Sequence, residues 1–501
     1  MQVNYIESLE IPRGSWCGRL RQNSEQFVVV HGCDVETTDR SFHEGVWSGD
    51  FAEHAIAEAV MMSGSGACVM EHGILFVTPS HFCERIYTAR RDATFYASNS
   101  LVFLLAALGE KPDLTDPDYH FQFLESHRRG QAVEYVDLRT NSGDSIQIRT
   151  DANFMVGSDL RVRTIPKPAP PIPKTFEIYH KSIQETLGTL LANATDAKRK
   201  RSYCPISTVS SGYDSAAVAA LAVSFGFVDA FCFVSEQEDG RPIAERLGMN
   251  IMSIDKEKQG IPRTENSEFF VLGMGHAANY GPLESLIAGR LMLTGYYGGY
   301  IWDPDCQVFD GSEMPSIAIT EGTSLIEFRL RVGFCLLPVP AFGIKHAATI
   351  QALSKSEAMR PWRTRPKKYS RPIPRRIVES AGVPRELFGQ SKLATGHVRP
   401  GEALGPGLKR EFESFCKQIP IDLDAQQRSW MRRGKSLAIK LLYSASRVVP
   451  RDCHDFHRGM QRLRFGRLTH WGQFRRRLYL YHWALERNLT TYQSGADLLS
   501  K

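Results

Sequence analysis

No Cys-x-x-Cys pair occurs among the 10 cysteines of this sequence, and their irregular spacing argues against a zinc ribbon, a thioredoxin-type motif and a disulfide framework. A membrane-spanning run is also missing. The most apolar stretch, Ser215 to Val234, is broken by Ser224, Gly226 and Asp229, and it reads as a buried helix followed by a buried strand. No basic region followed by an apolar core opens the chain, so a secretory signal is not expected. These absences together lead to the expectation of a cytoplasmic protein with no membrane contact. Depletion of apolar residues, the mark of disorder, is absent as well: hydrophobic residues make up 42% and charged residues 23%, as in ordinary packed domains. Charge of one sign is in small excess, +6 over 501 residues. Arginines do crowd late in the chain (Arg432 and Arg433; Arg462, Arg464 and Arg467; Arg475 to Arg477), but such clusters are more often solvated helix faces than nucleic-acid surfaces.

A length of 501 residues exceeds the usual size of one hydrophobic core and predicts two domains with an appendage. Residues 1–163 alternate short apolar runs, such as Gln26 to His31 and Gly73 to Thr78, with Gly, Asp and Asn, and two helix-like stretches, Ala52 to Met62 and Leu101 to Leu108, interrupt them. This predicts an α+β domain. Five prolines between Thr164 and Lys174 predict an extended connector over 164–174. Beyond it, Phe176 to Asn193 has helical periodicity. Strand-like Ile206 to Val209, Phe231 to Val234 and Asn250 to Ile254 then alternate with helix-like Asp214 to Phe225 and Pro242 to Leu247. Short strands with helical crossovers predict a doubly wound parallel sheet over 175–400. Residues 401–501 form an Arg-rich helical extension, with apolar spacings such as Leu437, Ile439, Leu441 and Leu442, expected to pack on the second domain.

At the carboxyl end of the first parallel strand stands Ser210-Ser211-Gly212-Tyr213-Asp214-Ser215, directly before a helix. Backbone N–H groups and the positive end of a helix attract an anion there, and small residues let the backbone approach it. Ser210, Ser211 and Ser215 add hydroxyl donors, and Asp214 is suited to a magnesium ion bridging phosphates. Serine and aspartate are also ordinary helix-capping residues, but the strand-helix-strand-helix-strand context favours a nucleotide site at the carboxyl edge of the sheet.

With Ser211 standing where the usual string S-G-G-x-D-S has its first glycine, this segment resembles the asparagine synthetase-like branch of the PP-loop ATP pyrophosphatases. The resemblance extends over about Phe176 to Thr395. It implies that ATP is cleaved between its α- and β-phosphates, that a substrate carboxylate becomes an acyl-adenylate, and that ammonia or an amine then attacks it. Two later segments add to it. Leu293 to Asp303 is similar to the family's second glycine-rich loop, although the acidic pair that normally follows the glycines is missing. Arg371 to Lys392 is similar to the late stretch in which a proline-bounded helix precedes a basic element. The resemblance implies ATP and Mg2+ as cofactors. It assigns Lys392 and Asp214 to catalysis, Ser210, Ser211, Gly212, Tyr213, Ser215, Gly295 and Gly298 to the nucleotide, and Asp214 and Asp303 (or Asp305) to the metal. A positioned cation such as Lys392 favours the more highly charged transition state. Between these segments, the alternation from Leu325 to Arg331 predicts a strand with Glu327, Arg329 and Arg331 on one face, able either to line a pocket or to be solvated.

Members that take nitrogen from glutamine carry a cysteine after the initiator methionine, whereas residue 2 here is Gln2. Cys17 and Cys33 are internal and have no free amine to activate them. The first domain is therefore expected to keep a degenerate glutaminase-like (Ntn-type) sandwich as a scaffold, as in β-lactam synthetases and lasso-peptide cyclases. Expected partners are a small-molecule or peptide carboxylate, ammonia or an amine donor, and no nucleic acid; a homodimer is compatible with the pattern. Two alternatives stay open: a nucleotide-binding scaffold or partner subunit, and a PP-loop enzyme that modifies nucleic acid.

Overall fold

The computed structural model describes the chain except residues 113–136, 151, 237, 262, 273–274, 276, 307–321, 364–368, 391–401 and 419–470. The protein is mixed α/β, with three sheets among the described residues. The first thirteen strands form two layers, one of seven strands and one of six, whose apolar faces meet. The first layer is ordered β1 (Gln2–Glu7), β3 (Gln26–His31), β2 (Trp16–Arg21), β9 (Thr94–Ser98), β8 (Ile86–Arg91), β11 (Ser145–Arg149), β10 (Asp137–Arg139). Only the β1–β3 pair among these is parallel. The second layer is antiparallel throughout: β13 (Val162–Ile165), β12 (Asn153–Val156), β7 (Gly73–Val77), β6 (Met62–Met70), β5 (Ser41–Trp47), β4 (Glu36–Thr37). Alternating side chains fill the space between the layers. Trp16 and Phe27 come from one face and Phe42, Phe76 and Phe154 from the other, with Trp16 edge-on to Phe42 at 5.0 Å and Phe76 stacked on Phe154 at 4.8 Å.

Helix α1 (Leu101–Leu108) covers the outer side of the first layer. The helix is apolar on all sides, which calls for burial on all sides, and its other faces are covered from far along the chain. Ser100 caps it by accepting the Phe103 N–H, and Gly109 ends it in the left-handed conformation. Strand β13 ends the second layer at Ile165, so the first two residues of the expected connector belong to the sheet; 166–174 has no regular structure before Thr175 caps α2 (Phe176–Ala194).

The third sheet is fully parallel, in the order β16 (Asn250–Asp255), β15 (Asp229–Val234), β14 (Cys204–Thr208), β17 (Arg290–Thr294), β18 (Cys335–Pro338). Helices α3 (Tyr213–Val223) and α4 (Arg241–Arg246) cross over between its first strands. Strands β17 and β18 are buried along nearly their whole length, as expected of parallel strands covered on both faces. Each alternation expected between 204 and 255 is present, with ends shifted by up to two residues. No helix among the described residues is long and apolar enough to cross a membrane.

Two expectations about single elements are corrected. Ala52 to Met62 is not a helix but two 3-10 turns, Phe51–Glu53 and Ile56–Glu58, followed by β6. His54 adopts a left-handed conformation (φ 51°) and so stops an α-helical ladder. Leu325 to Arg331 is not a strand: α6 (Ile326–Val332) follows α5 (Gly298–Ile301) and turns Glu327 and Arg329 into two different buried clusters. The carboxylate of Glu327 accepts from Ser100 Oγ (2.8 Å) and Tyr492 OH (2.7 Å), whereas the Arg329 guanidinium pairs with Glu44 (2.7 Å) and Glu84 (2.8 Å), all three of these charges being 3–4% exposed.

The late extension is helical where described. Helix α7 (Pro372–Ser380) is followed by α8 (Pro406–Gln418), α9 (Trp471–Leu489) and α10 (Gln493–Ser500). It packs on both units, not on the second alone: α9 touches the turn Ser267–Phe270 and α1, and α10 lies on α1, β2 and β3. Phe103 stacks on Tyr492 at 5.0 Å, and a Cβ on Gly495 would lie 2.8 Å from the Phe103 ring. The apolar positions 437, 439, 441 and 442, and the arginines 432, 433, 462, 464 and 467, lie outside the described residues.

Candidate functional site

Strand order in the parallel sheet reverses at β14. The chain runs from β14 outward through β15 to β16, and then returns to the other side of β14 for β17 and β18. In open α/β sheets the crevice at such a reversal, beyond the carboxyl ends of the strands, is where ligands bind. The loops that leave β14 and β17 are the two sequence-predicted ones: 209–212 leads into α3, and 295–297 leads into α5.

The first loop is drawn in on itself. Ser210 Oγ and Ser215 Oγ lie 2.6 Å apart, the Ser210 N–H donates to Ser215 Oγ (3.1 Å), and the Gly212 N–H donates to Ser210 Oγ (3.3 Å). Gly212 is the N-cap of α3 in extended conformation, and no side chain caps this end. Ser211 presents its carbonyl to the Gly389 N–H at 2.8 Å. Close approach explains the glycines around the loop: a Cβ on Gly240 would sit 2.7 Å from the Val209 carbonyl oxygen, and one on Gly389, which is also left-handed, 2.2 Å from the Tyr213 ring.

The second loop presses on α3. A Cβ on Gly295 would lie 2.7 Å from the Ser215 nitrogen, and one on Gly298 only 2.3 Å from Asp214 Cγ. Gly295, Gly298, Asp214 and Ser215 are therefore brought together. Tyr213 is not part of that surface. Its side chain is fully buried (0% exposed), under Tyr369 and Phe388, with Arg375 donating to its hydroxyl. Its expected role at the nucleotide is corrected to one of packing: it fixes α3 against α7. Lys392 lies outside the described residues.

The structure adds one residue that the sequence did not single out. Arg371, 2% exposed, donates from Nη1 to Asp214 Oδ2, and its Nη2 is 3.8 Å from Asp303 Oδ2. The Tyr369 ring lies 5.0 Å from its Cζ. Burial works against the charge of this guanidinium, but Asp214, Tyr369 and Asp303 outweigh it and hold its pKa above the ordinary arginine value. Burial, reinforced by Asp214, raises the Tyr369 phenol. Asp303 also uses Oδ1 to receive the Asp305 N–H at 3.0 Å, which turns Asp305 out to solvent.

Magnesium takes octahedral oxygen donors, with one or two carboxylates left open to it. Asp214 and Asp303 do not meet that requirement as arranged, because a buried guanidinium stands within ion-pairing reach of both. Among the described residues no group of three or more His, Cys, Asp or Glu side chains is disposed to hold a metal ion.

In the first unit Cys17 is buried in β2, and burial raises its thiol well above the ordinary value; burial and then Asp34 also raise the half-buried Cys33. Neither has the depressed pKa of a nucleophilic cysteine. No family model matches the chain, and no curated protein matches it.

Proposed function

We propose that this chain is an asparagine synthetase-like, ATP-dependent carbon–nitrogen ligase whose nucleotide site lies at the strand reversal. The observation that carries the reading is the meeting of the two glycine-containing loops, 210–215 and 295–299, at the carboxyl ends of neighbouring parallel strands. On this reading residues 175–400 are a PP-loop ATP-pyrophosphatase domain and residues 1–163 a glutaminase-like sandwich serving as scaffold. ATP binds over Gly212 and the uncapped start of α3. A substrate carboxylate oxygen attacks the α-phosphorus, the bond to the bridging α–β oxygen breaks, and pyrophosphate leaves. Ammonia or a substrate amine then attacks the acyl carbon, loses a proton, and expels AMP. Lys392, through the resemblance, is the cation expected at the α-phosphate. The burial of Cys17, which raises its thiol, supports a nitrogen source other than glutamine.

Incubating the full chain with α-labelled ATP and pooled cytosolic small molecules tests this. AMP and pyrophosphate should form only when the pool is added, and Lys392→Ala should lower the rate of adenylate formation far more than it weakens ATP binding. Pool-dependent ADP in place of AMP, or no nucleotide binding at all, would sink the proposal. A second reading, a nucleotide-binding scaffold without catalysis, is favoured by one feature: Ser210 and Ser215 spend their hydroxyls on each other. ATP binding without any AMP from any pool is its signature.

A further inference from the structure

We propose that Arg371 is the resident cation of this site, a guanidinium held where a divalent ion would otherwise join Asp214 to Asp303. The inference concerns the same two loops as the ligase reading but does not depend on ATP being their ligand. Three independent features support it. The guanidinium contacts one carboxylate directly, through Nη1, and is 3.8 Å from the other through Nη2. The second glycine loop makes room for it: a Cβ on Gly299 would lie 3.0 Å from Arg371 Nη2, while the neighbouring Gly298 lets Asp214 approach. The backbone of Arg371 is held out of the helical region (φ −133°, ψ 89°) before Pro372, which disfavours a helical conformation at the residue preceding it, and the Tyr369 ring closes over the charge. A metal entering between the two aspartates would have to evict a guanidinium that is 2% exposed and cannot lose its proton. The same substitution of cation accounts for the absence of an acidic pair after the glycines at 298 and 299: with a monovalent cation already in place, further carboxylates would add uncompensated negative charge.

Mn2+ binding to the full chain, followed by electron paramagnetic resonance with no nucleotide present, tests this directly. The native protein should show no Mn2+ site that depends on Asp214. Arg371→Met, which keeps the apolar stem and removes the charge, should gain a bound Mn2+ signal, and adding Asp214→Asn should abolish it. A Mn2+ site in the native protein that Asp214→Asn removes would overturn the proposal. So would a folded Arg371→Met protein, checked by circular dichroism, that takes up no Mn2+. If Arg371→Met fails to fold, the comparison of the native chain with Asp214→Asn decides alone. Failure to form AMP with unchanged Mn2+ behaviour counts against the ligase reading only.

Discussion

Gly298 and Gly299 are adjacent and chemically identical, yet they face different neighbours, and this separates what each tolerates. A methyl at 298 would overlap Asp214 Cγ at 2.3 Å, next to the helix backbone, whereas one at 299 would meet the end of a guanidinium at 3.0 Å. Gly298→Ala should therefore destabilise the protein by about 1–3 kcal/mol, and Gly299→Ala by clearly less, as read from urea midpoints. Equal losses would place the constraint in backbone conformation and not in space. Asp214 was singled out by its place after a strand-like segment, and Gly295 and Gly298 only through the resemblance; the fold brings the three together. Arg371 was not singled out, since nothing in a proline-bounded basic segment indicates which carboxylate a side chain 157 positions away will meet. Tyr213 misled for a related reason: its place in the loop is visible in the sequence, but its direction, inward to Arg375, is set by α7.

At the level of single elements, α6 is where the two units exchange charge. Burial pushes the Glu327 carboxyl up to about 7, with Tyr492 and Ser100 pulling the other way; burial likewise raises Glu84 against the pull of Arg329. A carboxyl with a folded pKa above its usual 4.5 binds more protons folded than unfolded in that window, so its contribution to stability is full below pH 4.5 and is lost as pH rises through 7. His81, lowered by burial to about 3, contributes with the opposite sign between 3 and 6.5. The difference between Glu327→Gln and the native protein cancels His81 and Glu84. Relative to the native chain, the variant should gain stability by on the order of 2–3 kcal/mol from pH 4.5 to 7. Denaturation midpoints measured across that range check it, and a constant difference would remove Glu327 as the titrating group. The sequence misrepresents this element because both sides of α6 are buried against charged partners, so its polar residues alternate without marking a solvent face.

For the whole molecule, five prolines marked the irregular stretch 166–174, whereas the largest apolar cluster joins residues from both sides of it. Where the late helices go was not legible, because an amphipathic helix declares that it has a buried face and not what covers it. Ending the chain after Leu489 removes Tyr492 from Glu327 and Phe103, and removes Leu499, 1% exposed, from the core shared with α1. Losing several such side chains at about 1.5–3 kcal/mol each should exceed the margin by which domains are stable. The truncated protein is expected to aggregate or to be cleaved around residues 101–108 by limited proteolysis. Resistance equal to that of the full chain would show that α10 is dispensable.

The seating of α10 on α1 also bears on how the chain is made. A ribosome delivers Leu101 to Leu108 long before residues 493–500, the cover that packs on them. Early in synthesis, Leu101 to Leu108 is an exposed greasy segment, attractive to holding chaperones and to other nascent chains. The packing between α1 and α10 forms only once residues 493–500 have been made. Closure over α1 is therefore a late event, in which residues 493–500 return to cover residues 101–108.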